Sequence, residues 1–128
     1  MDLIVIDLTG PMSMLTWLGM SYALMVVEAS CCFPIGQLLK AKSKAAAVKE
    51  IVIMFGRQSD KKLKRMRSDL ETEFMKELID DFCEKNSVIY KTTVSYIPEQ
   101  NAIVKRAIAV AFEMVRCMLH SARMDLHY

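Results

Sequence analysis

"ETEFMKELIDDFCEKNSVIYKTTVS", residues 71–95, changes its period midway, and that change decides the fold class. Up to residue 86 the apolar side chains Phe74, Leu78, Phe82 and Cys83 recur every three or four positions, the stripe of a helix lying on a core. From residue 87 to 95 the stripe gives way to a β-branched and aromatic run, which reads as a strand. A helix that passes directly into a strand is the repeating step of an α/β domain.

The flanking segments continue the alternation. Before it, "KLKRMRSD" (62–69) reads as a strand entered through a charged turn, and "SKAAAVKEIVIMFG" (43–56) as a helix with Ser43 as N-cap and Gly56 as its stop. Three strands precede these: 3–8, ending at the Gly-Pro turn of "TGPM", then 21–29, then 32–39. Pro34 cannot serve a central ladder, so the third strand is expected at a sheet edge. After it, "YIPEQN" forms a loop, and Asn101 is placed to cap a last helix from 102 to about 119. The order is β-β-β-α-β-α-β-α, which implies a five-stranded mixed sheet with helices on both faces.

Composition narrows the function classes. The 128 residues make a single domain, 1–128, able to bury about 70% of its unfolded surface. A net charge of +2 does not by itself call for a polyanion partner, although the basic residues cluster in "KKLKRMR" (61–67). No apolar run approaches the roughly 18 residues of a membrane span, and the first residues lack a signal-peptide pattern, so no membrane role is expected. Cys31, Cys32, Cys83 and Cys117 show no zinc-ligand spacing and no disulfide framework; they read as reduced, buried thiols of an intracellular protein. His120 and His127 also lack ligand spacing and read as surface residues, while Trp17 and Tyr22 are expected to pack under the second strand.

Two acids fall at strand ends: Asp7 closes the first strand and Asp69 the fourth. Carboxylates ending neighbouring strands can converge on divalent cations, as two-metal phosphoryl transfer requires. Taken alone, each is more commonly a turn residue.

"IDLTGPM", "KLKRMRSDLETEF", "FCEKNSVIYKTTVSYIPEQNAIVKR" and "EMVRCML" resemble the integrase core of copia-type retrotransposons, in order and from about residue 3 to the end. The resemblance implies a ribonuclease-H-like integrase core, whose element order agrees with that read above. It also implies a site of two Asp and one Glu holding two Mg²⁺ ions, which activate a water or a DNA 3′-hydroxyl. Asp7 matches the first acid and Asp69 the second. The third falls 35 intervening residues beyond Asp69, in a segment that the family writes "NGVAER" and this chain writes "NAIVKR". Lys105 stands in the glutamate's place.

An ammonium has three donors and no lone pair, so it cannot ligate a cation. It can repel the ions, or pair with the two aspartates directly, each pair worth about 4 kcal/mol at about 4 Å and an effective dielectric near 20 before desolvation. Two more departures agree. The glycines of the family's "DNGGEY" are Glu71 and Thr72, and the polar positions expected to face DNA read "AIAVAF" (107–112). No active catalytic residue and no cofactor are therefore expected, although active members of the family use Mg²⁺. The family's N-terminal zinc-binding and C-terminal segments are expected to be absent.

On a helical wheel Lys105, Arg106, Glu113 and Arg116 share one arc of about 100°, and the rest of the last helix is apolar, more than one core contact uses. Val104, Ala111, Val115, Met118 and Leu119 form a core face. Ile103, Ala107, Val110, Met114 and Cys117 form a flanking seam with a/d-like spacing. Either the helix at 43–56 covers that seam, or a second copy or another protein's helix does; the family's cores dimerise. The expected function is a catalytically inactive protein-interaction and homodimerisation module in a nuclear, genome-linked process. The alternatives are a residual metal-dependent strand transferase or nuclease, and a weak DNA or RNA contact through Lys61, Lys62, Lys64 and Arg65.

Overall fold

The computed structural model describes residues 2–13, 18–40, 45–68, 73–92 and 102–124. Its elements follow the expected order: β1 (Leu3–Thr9), β2 (Tyr22–Glu28), β3 (Phe33–Leu39), α1 (Ala45–Ser59), β4 (Arg65–Ser68), α2 (Glu73–Lys85), β5 (Ile89–Thr92) and α3 (Ala102–Ser121). The five strands form one sheet in the order β3-β2-β1-β4-β5. β1 pairs antiparallel with β2 and parallel with β4; β2–β3 is antiparallel and β4–β5 parallel. The mixed sheet is as the sequence implies, and β3, carrying Pro34 opposite Val27, lies at an edge.

Alternation along β1 divides the molecule into two layers of core. Ile4 and Ile6 point to the face covered by α1 and α2, where they are buried with Leu24, Val48, Met66 and Ile79. Val5 points to the other face and is buried with Met25, Val27 and Val104 of α3. Phe33 and Phe55 meet edge to face at 6.1 Å and tie α1 to the outer strand. The turn after β1 needs a glycine. Gly10 has φ +128°, and a Cβ there would stand 2.7 Å from the Ser21 carbonyl oxygen.

Several expectations are corrected. Gly56 does not stop α1, which runs to Ser59 and ends where Asp60 turns left-handed at φ 50°. Val52 and Phe55, in the turn before the glycine, are buried, and the Ser59 hydroxyl donates to the Phe55 carbonyl oxygen at 2.6 Å, so the roughly 1 kcal/mol that one mid-helix glycine costs does not end the helix. Only Cys83 is a buried thiol; Cys31, Cys32 and Cys117 are exposed, the first two because they form the tip between β2 and β3. Val115 and Met118 do not belong to the core face of α3. The sheet contacts are Val104, Ala107, Ile108 and Ala111, all in the first half of the helix. Tyr22 packs at the edge of the main core as expected. Trp17, Ser43, Asn101 and His127 lie outside the described residues.

Candidate functional site

Asp7 lies on the central strand β1, opposite Met25 of β2, and shares the α3-covered face with Leu3 and Val5. It is half-buried, and its Oδ1 accepts the backbone N–H of Leu8 at 2.9 Å. On its other side β1 runs parallel to β4, with Ile6 level with Ser68. Ser68 is fully buried and its hydroxyl lies 2.6 Å from the Tyr90 hydroxyl of β5. The last described residue of β4 is thus anchored one step before Asp69 in the chain. Asp69 itself, with Glu71 and Thr72, lies outside the described residues.

Lys105 is in the first turns of α3, directly after Val104, the residue that seats the helix on β1 and β2. One residue of helical advance turns Lys105 away from the sheet, and it is exposed. Among the described residues it forms no ion pair, and Asp69, one of the two aspartates it was expected to repel ions from or to pair with, lies outside them. No group of three or more His, Cys, Asp or Glu side chains that could hold a metal is present among the described residues. Lys105 stands where the resemblance implies a glutamate, and an ammonium offers no lone pair to a cation.

The seam residues of α3 are open. Ile103, Val110 and Met114 are 42%, 47% and 61% exposed, Cys117 is exposed, and Val115 and Met118 beside them are 41% and 63% exposed. Ala107 departs from the expected seam by packing against the sheet. The helix α1 does not cover this surface, because it belongs to the core on the opposite face of the sheet.

The basic run "KKLKRMR" is split in two. Lys64 and Arg65 turn to Asp2, at 3.8 Å and 2.6 Å. Their partner is held below the usual carboxylate range, first by the Arg65 hydrogen bond. Lys61 and Lys62 instead line a cleft between the C-terminal ends of α1 and α2, where Arg57 and Lys85 join them. The last two were not singled out from sequence. The available signal was a cation in the last turn of each helix, favourable against the helix dipole. His120 is exposed in the last turn of α3, as expected. Among the described residues no helix is long and apolar enough to cross a membrane.

A half-buried aspartate on the central strand, a parallel neighbour ending beside it and a helix across that face define the integrase catalytic core fold. The catalytic core domain of BIV integrase superposes with a TM-score of 0.59 at 19% identity, over 84% of this chain and 64% of that one. The ribonuclease-H-like expectation is therefore borne out as a fold. Along its sequence, 125 residues, 97% of the chain, are 26% identical to the retrovirus-related Pol polyprotein from transposon TNT 1-94 of Nicotiana tabacum, and span 9% of that polyprotein's length. No family model matches the chain. The chain is thus similar in fold to an integrase catalytic core and in sequence to one stretch of a retrotransposon Pol polyprotein.

Proposed function

We propose that this domain is non-catalytic and works as a protein-interaction module, with a second copy of itself as the first partner. The observation that carries the reading is the apolar side of α3 left in water: Ile103 near its start, and Val110, Met114, Val115 and Met118 further along, are all exposed. Exposed apolar side chains recurring at helical intervals fit a second helix laid along them. Lys105 supports the other half of the reading, because a cation in the place of a metal-ligating carboxylate opposes the charge that the chemistry needs. The nuclear, genome-linked setting belongs to the same proposal and rests on kinship with retrotransposon Pol polyproteins alone.

Light-scattering mass across a concentration series tests it, for the wild type and Val110→Asp. The wild type should pass from monomer to dimer mass, and the variant should stay folded by circular dichroism and remain monomeric. A wild type that is monomeric throughout, or a variant that dimerises equally well, would sink the homodimer.

One observation keeps an enzymatic reading alive as a second proposal. Asp7 stands on the central strand level with the end of β4, where a metal-dependent strand transferase of this fold would hold its first ligand. That reading requires Mn²⁺-dependent nicking of duplex DNA that disappears in Asp7→Asn. A nucleic-acid contact without chemistry is the weaker alternative, since Lys64 and Arg65 already face Asp2.

A further inference from the structure

We propose that the cleft between α1 and α2 is a docking site for an acidic, amphipathic segment of a partner protein. This surface is separate from α3, on the other face of the sheet. The cleft encloses about 680 Å³. Its floor is apolar, made by Val52 and Ile53 of α1, Phe82 of α2, and Leu63 and Val88 from the segments entering β4 and β5. Its rim is cationic, made by Arg57, Lys61, Lys62 and Lys85, with Asp60 as the acid among them.

The charges are not spent within the fold. Lys85 bonds Asp81 at 3.0 Å, one turn back on its own helix. Arg57, Lys61 and Lys62 form no ion pair among the described residues. Three unpaired cations around an apolar floor complement a ligand that brings carboxylates around an apolar side chain. At about 680 Å³ the cleft has the size of a ligand pocket and room for several side chains of such a segment.

A nucleic acid fits less well. Its affinity comes from phosphate contacts, which leave the floor uncovered, and from stacking on open aromatic rings. The one aromatic lining the cleft among its described residues, Phe82, is half-buried in the main core. An acidic peptide uses both the rim and the floor.

Gly56 permits a clean test because it lines the cleft from within α1. A Cβ there meets only the Lys61 carbonyl oxygen, at 3.7 Å, an ordinary contact. Gly56→Met therefore fills the floor without changing charge, and Lys61→Glu with Lys62→Glu inverts the rim without changing the floor. The probe is a fluorescently labelled helical peptide carrying two Leu one turn apart, flanked by Glu, read by anisotropy. A Gln-for-Glu copy and a labelled DNA duplex are measured beside it. The acidic peptide should bind saturably, and either variant should weaken it about tenfold or more, as should the Gln copy. Val110→Asp should leave it unchanged, which separates this site from the α3 interface. No saturable binding by the wild type, or equal binding by Gly56→Met or by the Gln copy, would overturn the proposal. Tighter binding of the duplex, lost in the Lys61/Lys62 variant but kept in Gly56→Met, would instead make the rim a polyanion surface and overturn it too.

Discussion

Glu28 is buried at the end of β2, yet its carboxyl is pulled down to a pKa of about 2. The Cys31 thiol, 2.9 Å from Oε2, is the largest cause, followed by the Ser30 hydroxyl at 2.6 and 2.7 Å; burial acts in the opposite direction and loses. A carboxylate whose pKa is lower folded than unfolded adds stability that is complete above its unfolded pKa, near 4.5, and fades as pH falls toward 2. The whole shift would correspond to roughly 3 kcal/mol, but the turn stands at the surface and solvent screens it, so about 1–2 kcal/mol is the expected share. Urea melts from pH 6 to pH 2.5 should therefore show a fall in stability that is smaller in Glu28→Gln. Equal slopes for the two proteins would show that the turn contributes nothing. The same contacts make a second forecast about thiols. Cys83 is buried and pushed up to about 11 by desolvation, and Cys31 is raised by its bond to Glu28. In dilute native protein an alkylating reagent should label Cys32 and Cys117 first, Cys31 more slowly and Cys83 only after unfolding, as peptide mass mapping will report. Early labelling of Cys83 would contradict its placement in the core.

The helix α3 is held at one end. Val104 is its one fully buried residue among those described, and Ala107, Ile108 and Ala111 complete its contact with β1 and β2. Val104→Ala should cost about 2 kcal/mol in chemical denaturation, since the site is packed on every side. Met118→Ala, on the exposed half, should cost little in the monomer. Amide exchange should divide the helix in the same way, slow over 105–111 and faster over 115–121 in dilute protein, with the second half gaining protection as concentration rises. Uniform exchange at every concentration would speak against an open, pairing half. This helix also shows where reading a sequence stops. The wheel found its apolar faces, and it placed Val104 and Ala111 correctly. It could not know that a helix of 20 residues, about 30 Å long, outruns a seven-residue strand of about 23 Å. Val115 and Met118 are apolar and in phase with the core, yet no sheet remains beneath them. Gly56 failed for a related reason: a glycine reads as a stop until the packing of the turn before it is known.

For the molecule as a whole, the fold was legible because period changes and turn residues mark each element, and because Pro34 names the edge strand. The site was legible in part. Asp7 is on the first strand, although β1 runs on to Thr9 rather than closing at it, and Lys105 is on the expected helix, turned to solvent. The basic cleft was not legible, since Arg57, Lys62 and Lys85 meet only once α1 and α2 lie side by side. Together these observations describe an integrase-type fold with Lys105 where the resemblance implies an acid, and with an apolar face on α3 and a basic cleft between α1 and α2 left exposed. Calorimetric titration of Mn²⁺ into the wild type and Asp7→Asn tests most directly the proposal that the domain is non-catalytic. Neither protein should show saturable heat. Saturable binding by the wild type, abolished by Asp7→Asn, would show that the metal centre survives and that position 105 never decided its fate.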